Sequence, residues 1–381
     1  MARDVSEIQV RQNVDQKQKH RVAPAGTNVS DSAGLPRAKP RQDNIDLLRA
    51  AAILLVVFYH YTTRLPAVYL QSEYVPFTFE WGRHGVDLFF IVSGFCIFMT
   101  MDSSRSLEHF WARRIARIQP AYVAGIIITF AIVSIAGLPG REVSPAIALS
   151  NMVWLNAIPN WPNVDHAYWT LIVELKFYIL FGLICTALRG RHVSAAWLGL
   201  CGVGLALQLL GGVPRQISSQ LLIGPAAPFF LVGLLAWEWR RLPRLEVAAI
   251  AFWAIVFVMM SPRFTHHPAT APLMALAAFI VLQLKSLRVP KAITIIGLVS
   301  YSFYLLHQNI GYVLIRSLDG PIEFRIFATI AIVFAMAVAL YYAVERRWER
   351  IVQKNVERWL SAGTRRIGVS QRTVTQGIRA W

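Results

Sequence analysis

The 381-residue sequence predicts an all-α fold, a polytopic integral membrane bundle of about ten transmembrane helices, and three observations point to it. Hydrophobic residues make up 55% of the chain and charged residues only 15%. The apolar residues come in blocks of about twenty, the length of helix that crosses a hydrocarbon core of about 30 Å. Lysine and arginine gather in the tails and in alternate connections, as in chains whose topology is set by basic loops.

Residues 1–42 are rich in Gln, Arg, Lys, Asp, Pro and Ala and have too few large apolar side chains to offset the entropy of ordering, so a disordered tail is expected. This tail has no apolar signal core, which leaves the first span to direct insertion. Spans are expected at 47–66, 85–101, 119–137, 167–188, 193–211, 219–238, 246–260, 270–286, 293–315 and 323–344, within a membrane domain of 43–350. The connections at 67–84 and 139–166 contain Pro, Trp and Asn and read as ordered surface loops, and 351–381 reads as a basic tail.

Ten spans put both tails on one side, which then carries 30 Lys and Arg, against 7 on the other. Both termini are therefore expected in the cytoplasm, with 67–84, 139–166, 212–218, 261–269 and 316–322 facing outward. The net charge of +17 follows helix ends instead of forming a patterned patch, which argues against a nucleic-acid partner. Cys96, Cys185 and Cys201 lack metal-ligand or redox spacing and read as small core residues; no metal site is expected.

The residues able to carry chemistry fall at two levels. Arg49 opens the first span, and Arg114 and Arg117, three apart, share a helix face on which guanidinium forks can hold phosphate oxygens; Arg113 beside them reads as a topology anchor. His60 lies eleven residues beyond Arg49, roughly 16 Å along a helix axis. With alternating span directions, His60, Glu174 and His307 reach similar depths in the middle to outer half of the bilayer. A His beside a carboxylate can act as a general base toward a hydroxyl, whereas the bland alternative is an interhelical hydrogen bond. Asp87 is expected to pair with Arg83 or His84 or to cap its helix, and Ser93-Gly94 to admit a close helix crossing. Trp81, Trp161, Tyr168 and Trp169 suit an aromatic belt, with stacking on a sugar ring as the functional rival.

These residues fall into a recognisable order: Asp46-Leu47-Leu48-Arg49, then His60, Gly85-Val86-Asp87-Leu88-Phe89-Phe90, Ser93-Gly94-Phe95 and Arg114-Ile115-Ala116-Arg117. Further on come Trp169-Thr170-Leu171-Ile172-Val173-Glu174 with Phe177-Tyr178, and Ser300-Tyr301-Ser302-Phe303-Tyr304-Leu305-Leu306-His307. Over about residues 42 to 350 the chain resembles the acyltransferase 3 family of membrane-bound carbohydrate O-acyltransferases. The resemblance implies a ten-span domain in the cytoplasmic membrane that takes acetyl-CoA, or a related acyl-CoA, from the cytoplasm and acylates a carbohydrate or glycolipid of the envelope. It also implies that Arg49, His60, Arg114 and Arg117 serve activity and that an acidic group belongs at Glu174. The chain departs from the family in reading Glu345-Arg346-Arg347 where Glu-Arg-Pro is common, and the extra outer domain of some members is not expected here.

Joined to that resemblance, the spacing implies that the arginines hold the nucleotide phosphates while the pantetheine arm reaches His60. His60, oriented by Glu174, then either deprotonates the acceptor hydroxyl or takes the acyl group itself. Asp87, Ser93, Trp169, Tyr304 and His307 are expected to support this site or its substrate, among membrane lipids and with a homo-oligomeric or polysaccharide-assembly partner compatible. The alternative class is a transporter or flippase of a lipid-linked sugar, for which midplane charges also serve, though no internal repeat links the two halves.

Overall fold

The computed structural model describes residues 42–351, apart from 72, 105–106, 262–269 and 285–286, together with 354–355 and 358. The expected N-terminal tail, almost all of the C-terminal tail and the outer loop at 261–269 lie essentially outside the described residues. Among these residues the chain is helical, with no strand.

Helix α1 (Asp43–Tyr59) starts with Asp43 and Asp46 in its first turn, where carboxylates suit the positive end of the helix dipole. It does not stop at Tyr59 but continues through a π-turn, His60–Arg64, into α2 (Leu65–Tyr69). Pro66 accounts for the turn: it has no N–H to give to the Thr62 carbonyl and its ring crowds that carbonyl, so the Leu65 N–H reaches back to His60 instead.

Next come α3 (Gly85–Asp102), α4 (Leu107–Ala136), α5 (Pro145–Met152), α6 (Trp169–Ala187), α7 (Val193–Leu210) and α8 (Gly212–Gln220). Four further helices follow: α9 (Ala227–Glu238), α10 (Arg244–Met260), α11 (Thr270–Gln283) and α12 (Lys291–Ser317). The series closes with α13 (Ile322–Leu340), which runs into a second π-turn, Tyr341–Glu345.

The inner layer is α1, α3, α9 and α12. Helix α9 packs along α3, and α12 packs against α1, α4 and α13. The α3–α9 crossing is tight because two glycines face one another: a Cβ on Gly233 would stand 2.0 Å from the Ile91 carbonyl oxygen, and one on Gly94 2.4 Å from that of Phe230. This is the close approach expected at Ser93-Gly94.

Six segments are long and apolar enough to cross a membrane: Asp43–Tyr69, Glu80–Asp102, Leu107–Ala136, His166–Ala187, Val193–Leu210 and Ile322–Ile351. Ala227–Glu238 and Thr270–Gln283 are apolar but shorter. Helix α12 is long enough, yet it carries Ser300, Ser302, His307, Gln308 and Asn309, all buried against other helices. Ile135, Leu183, Leu209, Leu210, Leu273 and Phe324 point outward and are exposed, as lipid-facing side chains are.

Four expectations need correction. The stretch 219–238 is not one span, since α9 begins only at Ala227 after a separate short helix. The connection 139–166 contains α5, started by Pro145 and by Ser144, whose side chain accepts from the Ile147 N–H at 3.3 Å. The third helix starts at Leu107, well before the expected 119, so Arg113, Arg114 and Arg117 ride within α4. Tyr168 is no part of an aromatic belt: it is fully buried and donates to the Leu305 carbonyl at 3.1 Å, whereas Trp81, Trp161 and Trp169 are exposed.

Candidate active site

A cavity opens between α1, α3, α4, α6 and α12. Arg49, Arg114 and Arg117 line it, together with Ser93, Cys96, Glu174, Tyr178 and Tyr304. Arg114 is held in the wall: its Nη2 donates to the Cys96 carbonyl at 2.7 Å and to the Thr100 hydroxyl, and its guanidinium lies 5.2 Å from the Tyr178 ring. Its Nε is buried without a partner. Arg49 reaches the same place from α1, with Nη2 3.4 Å from Cys96 Sγ. Cys96 is thus a cavity residue as well as a buried one.

Arg117 is balanced by a carboxylate that sequence reasoning did not single out. Glu345, buried in the second π-turn, accepts from the Ser302 hydroxyl at 2.7 Å and acts electrostatically on both Arg117 and Arg49. The signal available in the sequence was a lone acid at the end of an apolar span, a costly placement unless paired.

Glu174 belongs to this cavity. It accepts from the Ser93 hydroxyl at 2.7 Å and from the Tyr178 hydroxyl. It makes no hydrogen bond to His60, so the expected carboxylate–imidazole pair does not form. Spacing along the chain did not foresee this, because position along a helix leaves the facing direction open.

The histidines meet each other instead. The His60 and His307 rings stack edge to face with centroids 4.8 Å apart. His60 Nδ1 lies 2.8 Å from the Val56 carbonyl oxygen, and His307 Nδ1 lies 2.6 Å from that of Tyr304. A carbonyl only accepts, so each Nδ1 carries the proton and donates it, and each Nε2 keeps its lone pair. Main-chain carbonyls therefore do the orienting work expected of a carboxylate. His307 Nε2 is buried without a partner.

The helix carrying His307 is pinned on both sides of it. Tyr61 donates to the His307 carbonyl at 2.6 Å, Tyr168 to that of Leu305 at 3.1 Å, and the Asn309 N–H to Asp165 at 2.9 Å. Asp165, in the connection before α6, also accepts from the Ala167 N–H at 2.8 Å. Burial pushes its carboxyl up to about 6, against the pull of these two N–H groups.

Tyr304 stands between cavity and imidazoles. It lines the cavity, its ring is 5.1 Å from that of His307, and its hydroxyl is tied to the Thr170 hydroxyl at 2.7 Å and to the Ala167 carbonyl at 3.0 Å. The structure thus gathers Arg49, Arg114, Arg117, Ser93, Glu174 and Tyr304 around the cavity, and His60 with His307 beyond it. Asp87 is elsewhere, buried and paired with His84 Nδ1 at 3.3 Å, and Trp169 is exposed at the start of α6.

Lipid-facing apolar helices around buried and half-buried arginines, carboxylates and paired imidazoles define an integral membrane protein with an internal polar site. The family model described as an acyltransferase domain matches residues 42–344, and the chain belongs to this acyltransferase 3 family. Exopolysaccharide production protein ExoZ of Rhizobium meliloti is 28% identical over 296 residues, covering 70% of this chain and 90% of that protein. O-acetyltransferase OatA of Staphylococcus aureus is 29% identical over 178 residues, which cover 41% of this chain and 26% of the relative, so the match spans about a quarter of that protein's length. Acyltransferase MdmB of Streptomyces mycarofaciens is 26% identical over 163 residues, covering 41% of this chain and 42% of that protein. No solved structure matches.

Proposed function

We propose that this protein moves an acyl group, acetyl in the first instance, from cytoplasmic acyl-CoA to a hydroxyl of an envelope or secreted carbohydrate. The observation that carries this reading is the His60–His307 pair, with both Nδ1 atoms committed to main-chain carbonyls and both Nε2 atoms left basic, one residue removed from a cavity lined by three arginines. Family membership and the names of relatives, one for O-acetylation and one for exopolysaccharide production, support the same reading.

In this scheme the arginines of the cavity take the phosphates of acyl-CoA, a role that fits the partnerless Nε of Arg114 and the shape of guanidinium forks. The pantetheine arm extends past Tyr304, so that the thioester reaches His60. His60 Nε2 accepts the proton of the acceptor hydroxyl, the hydroxyl oxygen bonds to the acyl carbon, and the carbon–sulfur bond breaks. The CoA sulfur leaves as thiolate and takes up the proton from His60, which closes the cycle with one ester and one free thiol formed. His307 supports His60 through ring contact, and Glu174 with Ser93 and Tyr178 shapes the cavity floor.

The scheme requires a path across the membrane, and it goes with ten spans in the cytoplasmic membrane and both termini on the inner side. The basic residues of alternate connections support that orientation. The test is to incubate membranes holding the full chain with radiolabelled acetyl-CoA and follow label into glycan. Labelled ester in the native protein and none with His60→Ala is the expected result; label undiminished by that substitution overturns the reading.

A further inference from the structure

Three arginines stand beyond His60, in the π-turn, on the connection after α4 and at the end of α12. Arg64 closes the π-turn that His60 opens, and it is exposed. Arg141 sits on the connection after α4, which Tyr69 fastens by donating its hydroxyl to the Pro139 carbonyl at 2.8 Å; the Arg141 guanidinium donates to His166 Nδ1. Arg316, exposed at the end of α12, lies 5.2 Å from the Tyr69 ring, which is 5.9 Å from the Tyr312 ring, itself 6.4 Å from that of His60. Arg64 and Arg141 are both within electrostatic reach of His60.

Three carboxylates of the same connections, Asp165, Glu142 and Glu73, are committed to other partners. Asp165 accepts the N–H groups of Ala167 and Asn309, and Glu142 those of Leu138 and Arg141. Glu73 is held by both Nη atoms of Arg325. Among the described residues none of the three arginines forms an ion pair. Cations that share a rim at reduced dielectric repel one another until an anion joins them, and a guanidinium fork matches a carboxylate or a phosphate group.

We propose that Arg64, Arg141 and Arg316 form the acceptor subsite, and that the acceptor is an anionic saccharide with a carboxylate or phosphate group near the hydroxyl to be acylated. This inference rests on His60 being the acylation centre. The anion neutralises the rim and, by its reach to the arginines, presents a neighbouring hydroxyl to His60 Nε2. A neutral sugar of the same size leaves the cations unmatched and binds more weakly.

The test uses the full chain in nanodiscs and three probes of equal length: a neutral gluco-oligosaccharide, one bearing a uronate, and one bearing a sugar phosphate. Binding of either charged probe about tenfold tighter than the neutral one, falling with salt and lost in the Arg64→Gln, Arg141→Gln, Arg316→Gln triple variant, is the expected result. The two charged probes tell carboxylate from phosphate. Equal binding of all three probes, no binding by any, or a preference that survives the triple variant overturns the inference. Nanodiscs with and without phosphatidylglycerol supply a further arm: if the triple variant alters only the dependence on that lipid, the arginines serve lipid head groups and the inference falls. His60→Ala is measured in parallel for acetyl transfer. Its retention of activity overturns the proposed chemistry, whereas the absence of a charge preference in the native chain, with His60→Ala inactive, overturns only the subsite.

Discussion

His60 on α1 and His307 on α12 meet edge to face at 4.8 Å, each donating its Nδ1 proton to a carbonyl one turn back on its own helix. Neither imidazole needs a carboxylate to fix its tautomer, so the basic nitrogens are aimed by the helices themselves. A substitution that keeps the ring's volume but removes the lone pair separates chemistry from packing.

For that reason His60→Gln and His60→Ala are both expected to lower acyl transfer by about 10²–10⁴-fold, the usual worth of a general base. His307→Asn is expected to lower it less, because His307 acts through His60. Rates of label transfer in membranes with matched protein levels check this. An acetyl-histidine trapped without acceptor would move His60 from base to nucleophile.

Glu345→Gln removes the charge that faces Arg117 while keeping an acceptor for the Ser302 hydroxyl. Glu345 acts on Arg117 through space, so its loss leaves the cavity more positive, and KM for acetyl-CoA is expected to fall severalfold while kcat changes little. Ser302→Ala, which leaves the charge in place, is expected to have a smaller effect. A kcat loss without a KM change would place Glu345 in folding or chemistry instead of donor binding.

Tyr304 both lines the cavity and touches His307. Tyr304→Trp is expected to leave CoA binding at the arginines intact, by displacement of labelled CoA, and to lower transfer by at least about tenfold. Transfer at the native rate would show that the pantetheine arm takes another route.

Gly233→Val drives a side chain into the Ile91 carbonyl, which leaves 2.0 Å where a Cβ needs well over 3 Å. Backbone on both sides cannot yield, so the expected outcome is destabilisation beyond the roughly 1–3 kcal/mol of ordinary overpacking. Thermal unfolding in detergent reads it, and a native melting temperature would show that α3 and α9 do not cross there.

Asp165 ties the connection before α6 to α12 two residues beyond His307. Its carboxyl is raised to about 6, so its contribution to stability is present below the ordinary carboxylate value and is lost as pH rises through about 6. The contribution is on the order of 3 kcal/mol between pH 4 and pH 7. Asp165→Asn is expected to flatten the fall in melting temperature over that window; an unchanged slope assigns it to other groups.

Much of this architecture was legible from local properties. Apolar block length announces lipid-spanning helices, and ionisable residues inside such blocks announce a site, because both follow from the cost of placing groups in hydrocarbon. Arg49, Arg114, Arg117 and His60 stood out in the sequence, whereas the π-turn at His60–Arg64 did not. Glu345 was visible as an acid at the end of a span but had no partner in sequence.

What the sequence determined by itself was height, since each residue adds about 1.5 Å of rise. What only the tertiary structure decided was facing direction, since each residue also turns the helix by about 100° and helix crossings fix which faces meet. Glu174 meets Ser93 and Tyr178, whereas His60 meets His307. The glycine contact between α3 and α9 and the packing of α12 on α1 set those rotations, and they are properties of surfaces distant in the chain.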